Sequence, residues 1–269
     1  MRMAVCLSGQ LRQWELALDN QKWFWESSKA AGVEQIDYFI HTWNYSGDRE
    51  GVSQPYVTRD VSKEEFKNIC NAYEVKGSIY DTKPSTWFYD NDHWSALFYS
   101  FAQSVMLKRK YEIENNFEYD VVIKSRPDIV FNPSKRKTCH LEHDCFDNML
   151  WTTHGGEMGH EFGMFNIDDC VFYSNSYTMD GLVNMYFYRQ KMIESRPENK
   201  EILCTQQLGP GVQMHEYCRE YGIVPQITPK DIKSWKPTLL KMGCPTNLNL
   251  FSPKSFRKME EYFREFYTK

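Results

Sequence analysis

The sequence predicts an α/β fold with a mostly parallel sheet and helices on both faces. Three observations predict it. Short apolar runs such as Met3–Leu7 alternate with longer stretches whose apolar residues recur every three or four positions. The run Tyr119-Asp120-Val121-Val122-Ile123-Lys124 is β-branched, as a central strand requires. A chain of 269 residues, 41% of them hydrophobic, is long enough to bury one such core.

Met3 to Leu7, bounded by Ser8-Gly9, reads as a buried strand, and a helix is expected from about Gln13 to Ala31, stopped by Gly32. Ile36 to His41 is the second strand. Ser62-Lys63-Glu64-Glu65 has the form of a capping box, with Phe66, Ile69 and Tyr73 on one face of the helix it opens. Val75 to Tyr80 is a third strand. A long helix follows from about His93 to Glu114, with Leu97, Phe101 and Val105 toward the core. Its Lys108, Arg109 and Lys110 are expected as a solvated turn at the negative end of the helix dipole. After Tyr119–Lys124 the pattern loosens. Met149 to Thr152 and Val171 to Tyr173 read as strands. Thr178 to Glu194, Pro210 to Tyr221 and a stretch opened by Ser252-Pro253 read as helices. Strands alternating with helices imply parallel pairing. One domain is expected over 1–269, with residues 1–130 as a donor half and 131–269 as an acceptor half.

The net charge of −4 does not advertise a nucleic-acid or anionic-membrane partner, and no apolar run is long enough to span a bilayer. The N-terminus runs straight into a strand, so a cytoplasmic location is expected (the host cytoplasm for a viral protein). The eight cysteines include no Cys-x-x-Cys and read mostly as reduced, buried thiols. The cluster Cys139-His140-Leu141-Glu142-His143-Asp144-Cys145 holds zinc-type ligands. Its spacing is too tight for a paired knuckle, and it reads as a polar loop. Aromatics reach 16%, mostly for packing, with some rings available to stack on a base or a sugar.

Ligands of open parallel sheets bind outside the carboxyl ends of the strands, and three strand ends here carry chemistry. At Ser8-Gly9-Gln10-Leu11-Arg12, Gly9 lets the backbone approach a ligand, Ser8 and Gln10 can hydrogen-bond, and Arg12 suits a diphosphate. His41-Thr42-Trp43-Asn44 offers polar groups beside an indole, for a base or ribose or as a structural sheet rim. Lys124-Ser125-Arg126-Pro127-Asp128 is the strongest. Pro127 ends the ladder and presents Arg126 and Asp128. Asp128 can hold a divalent cation that bridges two phosphates, and Arg126 can stabilise the leaving diphosphate directly. A structural Arg–Asp ion pair is the alternative.

These motifs in order, Val5-Cys6-Leu7-Ser8-Gly9-Gln10-Leu11-Arg12, Asp37-Tyr38-Phe39-Ile40-His41-Thr42-Trp43 and Tyr119 through Asp128, resemble GT-A-type glycosyltransferases of large viruses, phages and bacterial surface-polysaccharide loci, the WavE-like proteins among them. Asp168-Asp169-Cys170-Val171-Phe172-Tyr173-Ser174-Asn175-Ser176-Tyr177-Thr178-Met179 is similar to the same group. The resemblance covers residues 4 to about 190. It implies a GT-A-like, Rossmann-like fold, a nucleoside-diphosphate sugar (such as a UDP-sugar) as donor, and Mn²⁺ or Mg²⁺ on Asp128. Arg126 stands at the first acidic position of the group's Asp-x-Asp-like motif, so one carboxylate would need other oxygens to complete a cation's shell.

An inverting transferase needs a carboxylate near the acceptor hydroxyl, and Asp168 and Asp169 are the candidates for that base, with an ordinary acidic turn as the alternative. The glycine-rich stretch Thr152 to Gly163 can act as a loop closing over the donor or as a plain surface loop. The expected function is transfer of a sugar to an acceptor hydroxyl. The acceptor is a glycan, a viral protein or, less favoured by the charge, a modified base in phage DNA. Two rivals remain: a sugar- or nucleotide-binding protein that kept the fold without the chemistry, and a sugar-phosphate nucleotidyltransferase.

Overall fold

The computed structural model describes residues 1–47, 59–82, 93–131, 148–152, 155–157, 165–167, 169–195, 210–227 and 238–239. A seven-stranded sheet organises them. Its strands are β1 (Arg2–Ser8), β2 (Gln35–Trp43), β5 (Gly77–Asp81), β6 (Val121–Ser125), β8 (Met149–Thr152), β11 (Phe172–Ser174) and β12 (Val224–Ile227). Their order is β12-β8-β11-β6-β1-β2-β5. β1 pairs in parallel with β2 and β6, β2 with β5, and β8 with β12. β11 alone runs antiparallel, to both β6 and β8, so the other six strands point the same way. The protein is thus α/β with a mostly parallel sheet, and that sheet draws strands from both the 1–130 and the 131–269 halves of the chain. Short pairs join β3 (Tyr45–Ser46) to β4 (Arg59–Asp60), β7 (Ile129–Val130) to β13 (Thr238–Leu239), and β9 (Gly155–Glu157) to β10 (Phe165–Ile167).

Helices cover both faces because alternate strand residues are apolar on both sides. Met3, Val5, Leu7 and Ile40 pack against Trp14, Phe24 and Trp25 of α1 (Trp14–Glu26) and Ile69 and Tyr73 of α2 (Lys63–Tyr73). Ala4, Cys6, Phe39 and Val122 pack on the other side. They meet Phe98, Phe101 and Val105 of α3 (His93–Asn115), Met179 and Leu182 of α4 (Ser176–Leu182), Met185 of α5 (Met185–Ser195), and Met214 and Tyr217 of α6 (Pro210–Glu220). At roughly 1.5–3 kcal/mol for each fully buried large apolar side chain, these two layers supply the main drive for folding.

Several local expectations need correction. The first helix turns 3₁₀ over Ser27–Ala31 before Gly32 closes it in a left-handed conformation. Ser62 Oγ accepts from the Glu65 amide at 3.0 Å, as a cap should, but the Glu65 carboxylate turns to Arg59 in a two-bond pair instead of returning to residue 62. A guanidinium offers a charge-assisted fork, which outcompetes a backbone amide. Lys108 does not belong to a solvated turn. It is fully buried and bonds Glu112, Ser176 and Asp180, because α4 lies across this turn of α3. The stretch expected as one helix from Thr178 breaks at residues 183–184, where Val183 and Asn184 bond back only three residues, to Asp180 and Gly181. Among the described cysteines, Cys6, Cys70, Cys170 and Cys218 are free thiols. No described helix is long and apolar enough to cross a membrane. The Cys139–Cys145 cluster, the helix after Ser252 and most of the glycine-rich stretch lie outside the described residues, although Gly155–Glu157 forms the short strand β9.

Candidate active site

The carboxyl ends of β1, β2, β5 and β6 meet at one edge of the sheet. Ser8 lies beside His41, and Trp43 beside Asp81, in the parallel register. Gly9 leaves β1 with φ of +126°, a conformation that L side chains rarely adopt. Its amide donates to the His41 carbonyl, and its own carbonyl accepts from Thr42 Oγ1 at 2.7 Å. The turn is therefore clipped to β2. Arg12 is held in turn: Nε donates to Gln10 Oε1 at 2.9 Å and Nη2 to the Gly47 carbonyl at 2.7 Å. Gln10 Oε1 also accepts from the Gly47 amide, so one amide side chain fixes both the guanidinium and the loop after β2.

After β6, Arg126 donates from Nε to Asp128 Oδ1 and from Nη2 to Asp128 Oδ2, each at 2.8 Å. Arg12 Nη1 approaches Asp128 Oδ2 to 3.9 Å. The Asp128 side chain is fully buried, while Arg12 and Arg126 keep 12% and 15% of their surface in solvent. Two guanidiniums thus converge on one carboxylate at the sheet edge. Burial opposes the charged form of Arg126, but the Asp128 carboxylate outweighs it and raises the pKa. The turn itself is held by Gln21 of α1, whose Nε2 donates to the carbonyls of Arg126, Pro127 and Ile129, while Tyr73 donates to its Oε1.

β11 runs back toward β6 from this same edge, with Phe172 opposite Lys124. That register brings Asp169 to the Arg126 turn, where its charge also favours the Arg126 cation. Lys124 Nζ bonds the carbonyls of Asp169 and Cys170 and fixes the segment. Asp168 lies outside the described residues.

His41, Thr42 and Trp43 do not open to solvent; they are 0%, 0% and 3% exposed. The structure makes them the floor of the edge instead of its lining. His41 Nε2 lies 3.2 Å from Asp81 Oδ2 and Nδ1 lies 2.8 Å from Ser100 Oγ. Burial pushes the imidazole down to about 4 against the pull of Asp81, so the ring is neutral at pH 7. A neutral ring facing a carboxylate with Nε2 carries its proton there and accepts from Ser100 at Nδ1. Trp43 stacks on Tyr99 at 5.5 Å, and Tyr99 donates to Asp81 Oδ2. Among the described residues at this end, Asn44 is part-exposed, and so are Asp81 and Tyr99, which the sequence reading missed. Asp81 falls one residue past the third expected strand, so the strand-end rule could have found it. Gln21 gave no signal, because its partners are about a hundred residues away.

The cation expected on Asp128 meets a carboxylate whose two oxygens are already engaged by Arg126. Among the described residues, no group of three His, Cys, Asp or Glu side chains comes together as a ligand set. One buried carboxylate, with both oxygens hydrogen-bonded by Arg126, could hold a cation only together with oxygens from elsewhere, a donor's phosphates among them.

No protein-family model matches the sequence, and no curated protein matches it. Three remote likenesses are among the solved structures that the chain resembles. A glycosyltransferase involved in the glycosylation of the major capsid of PBCV-1 is 12% identical, with a TM-score of 0.39, covering 97% of this chain and 100% of its own. The apo-form glycosyltransferase GlyE of Streptococcus pneumoniae TIGR4 is 14% identical with a TM-score of 0.38; the match takes in 84% of this chain but only 45% of GlyE. The inositol-1-phosphate CTP transferase of T. maritima is 12% identical with a TM-score of 0.39, covering 97% and 94% of the two chains.

Proposed function

We propose that the protein transfers a sugar from a nucleoside-diphosphate sugar to an acceptor hydroxyl. The observation that carries this reading is the convergence of Arg12 and Arg126 at the carboxyl ends of β1 and β6. Two preorganised guanidiniums at the edge of an open parallel sheet suit a diphosphate, and they stabilise the negative charge that grows as the nucleoside diphosphate leaves. Asp128 holds Arg126 in place instead of carrying a cation, so the arginines take the role expected of Mn²⁺ or Mg²⁺. Asp169, beside Arg126, is the described candidate for the base that takes the acceptor's proton. The acceptor is a glycan or another hydroxyl.

A thermal-shift screen against nucleoside diphosphates and nucleotide sugars, with manganese, with magnesium and with EDTA, tests the reading. Ligand that binds the native state raises the melting temperature by mass action. The expected result is a rise with one nucleotide that survives EDTA and is lost in Arg126→Ala and Arg12→Ala. A rise that needs the metal and vanishes in Asp128→Ala would return the diphosphate to a cation. No rise with any nucleotide would remove the donor site and favour a sugar-binding protein. Release of nucleoside diphosphate, not monophosphate, separates the transferase from a nucleotidyltransferase.

A further inference from the structure

At the opposite edge of the sheet a cavity of about 520 Å³ opens between α3, α4 and α6. Asn148 and Ile223, which line it, stand just before β8 and β12, at the amino ends of strands parallel to β6. The arginine pair lies at the carboxyl ends, so this is a separate site. Its volume falls in the range of small-molecule pockets.

The lining fixes the chemistry of an occupant. Tyr177 and Tyr221 line the cavity and stay 67% and 55% exposed, with Met106 at 52%. Tyr221 is backed by Tyr217, stacked at 4.4 Å, and Tyr217 is anchored by its hydroxyl to the Gly181 carbonyl at 2.7 Å. The platform is thus firm. The charges are matched within the protein. Lys108 bonds Asp180 Oδ1 at 2.7 Å, and Arg109 Nε approaches Oδ2 to 3.4 Å while its Nη1 bonds Glu118. Arg109, the cation of the lining, is thus paired, and each Asp180 oxygen keeps lone-pair capacity. Asn148 and Asn184 add amide groups at the rim. Flat exposed rings beside fixed neutral or internally paired polar groups suit a ligand with apolar C–H faces and many hydroxyls, and without net charge.

We propose that this cavity is a carbohydrate-binding site, distinct from the arginine edge, that takes a neutral hexose unit. For a transferase it would hold a glycan acceptor close and raise its effective concentration. The binding proposal itself does not depend on the transferase reading.

The test uses the full chain labelled with ¹³C at the methionine methyls, with the Met106 signal assigned through Met106→Leu. Glucose, galactose, mannose and N-acetylglucosamine are titrated in turn. The expected result is a saturable shift of the Met106 methyl with at least one sugar, weakened about tenfold in Tyr221→Ala or Tyr177→Ala and unchanged in Arg126→Ala. Melting curves of the two exposed-tyrosine variants confirm that the fold is kept. No saturable shift with any of the sugars overturns the proposal. So does a shift that persists in both tyrosine variants, or one produced by free nucleosides and not by sugars. No nucleotide binding by the native chain, with an intact Met106 shift, would remove the proposed transferase function and leave this site standing.

Discussion

Arg126 and Asp128, two residues apart, face each other through two parallel hydrogen bonds of 2.8 Å, with the carboxylate wholly buried and the guanidinium reaching solvent. The carboxylate aims the cation, and the cation is what the sheet edge presents.

Replacing Asp128 by Asn keeps the shape and removes the charge. Breaking a buried pair from one side strands the other charge, at a cost of about 3 kcal/mol, the low end of the usual range since Arg126 keeps some solvent. Urea unfolding should show that loss with or without manganese. A loss that appears only with manganese would contradict the clasp.

Gln21 predicts a second-hand effect on the same edge. Its one amide group binds three carbonyls of residues 126–129. Gln21→Leu leaves buried carbonyls without a donor, which costs roughly 1–3 kcal/mol for such a group. Stability in urea should fall by that order, and the nucleotide-induced rise in melting temperature should shrink although Gln21 touches no ligand.

Lys108 gives the largest expected loss away from the site. It and Glu112 are both fully buried, and Ser176 and Asp180 complete the network. Lys108→Ala leaves the buried Glu112 carboxylate with Ser176, the Tyr119 amide and Arg109 at 3.5 Å as its remaining partners, and should cost about 3 kcal/mol. Lys108→Met with Glu112→Leu removes both charges but leaves the Tyr119 amide and the Ser176 hydroxyl without their acceptor, so it should recover only part of that stability in the same denaturation assay.

His41 sets a pH dependence. Its folded pKa is about 4, depressed chiefly by burial, against the ordinary 6.5. Between these values the unfolded chain binds the extra proton, so stability rises with pH. His41 therefore contributes no penalty above about pH 6.5 and a growing one as the pH falls toward 4, about 3 kcal/mol in all. Urea midpoints measured across that window should fall steeply for the native chain and more gently for His41→Asn. Equal slopes would show that the imidazole is not held neutral.

The sequence by itself determined six strands of the main sheet, all but β12, and the residues that stand at their ends. Periodicity and β-branching are local properties, and Met3–Leu7, Ile36–His41 and Tyr119–Lys124 announce themselves within a few residues. Ser8–Arg12 and Arg126–Asp128 follow from those strands by the rule that ligands sit at carboxyl ends. Tertiary structure alone decided which side chains face solvent and which face each other. Trp43, open in the sequence to a role beside a ligand or in the sheet rim, lies beneath the surface; Lys108 was expected in solvent and is buried. Gln21 reaches across 105 residues to Arg126, and Lys108 across 72 to Asp180. The tyrosine-lined cavity joins Met106 to Ile223. Such pairings arise when helices dock on a sheet, and burial then fixes whether a charge is paired, neutral or left to meet a ligand. No local pattern carries that information, because it is the packed neighbour, distant in the chain, that sets each group's surroundings.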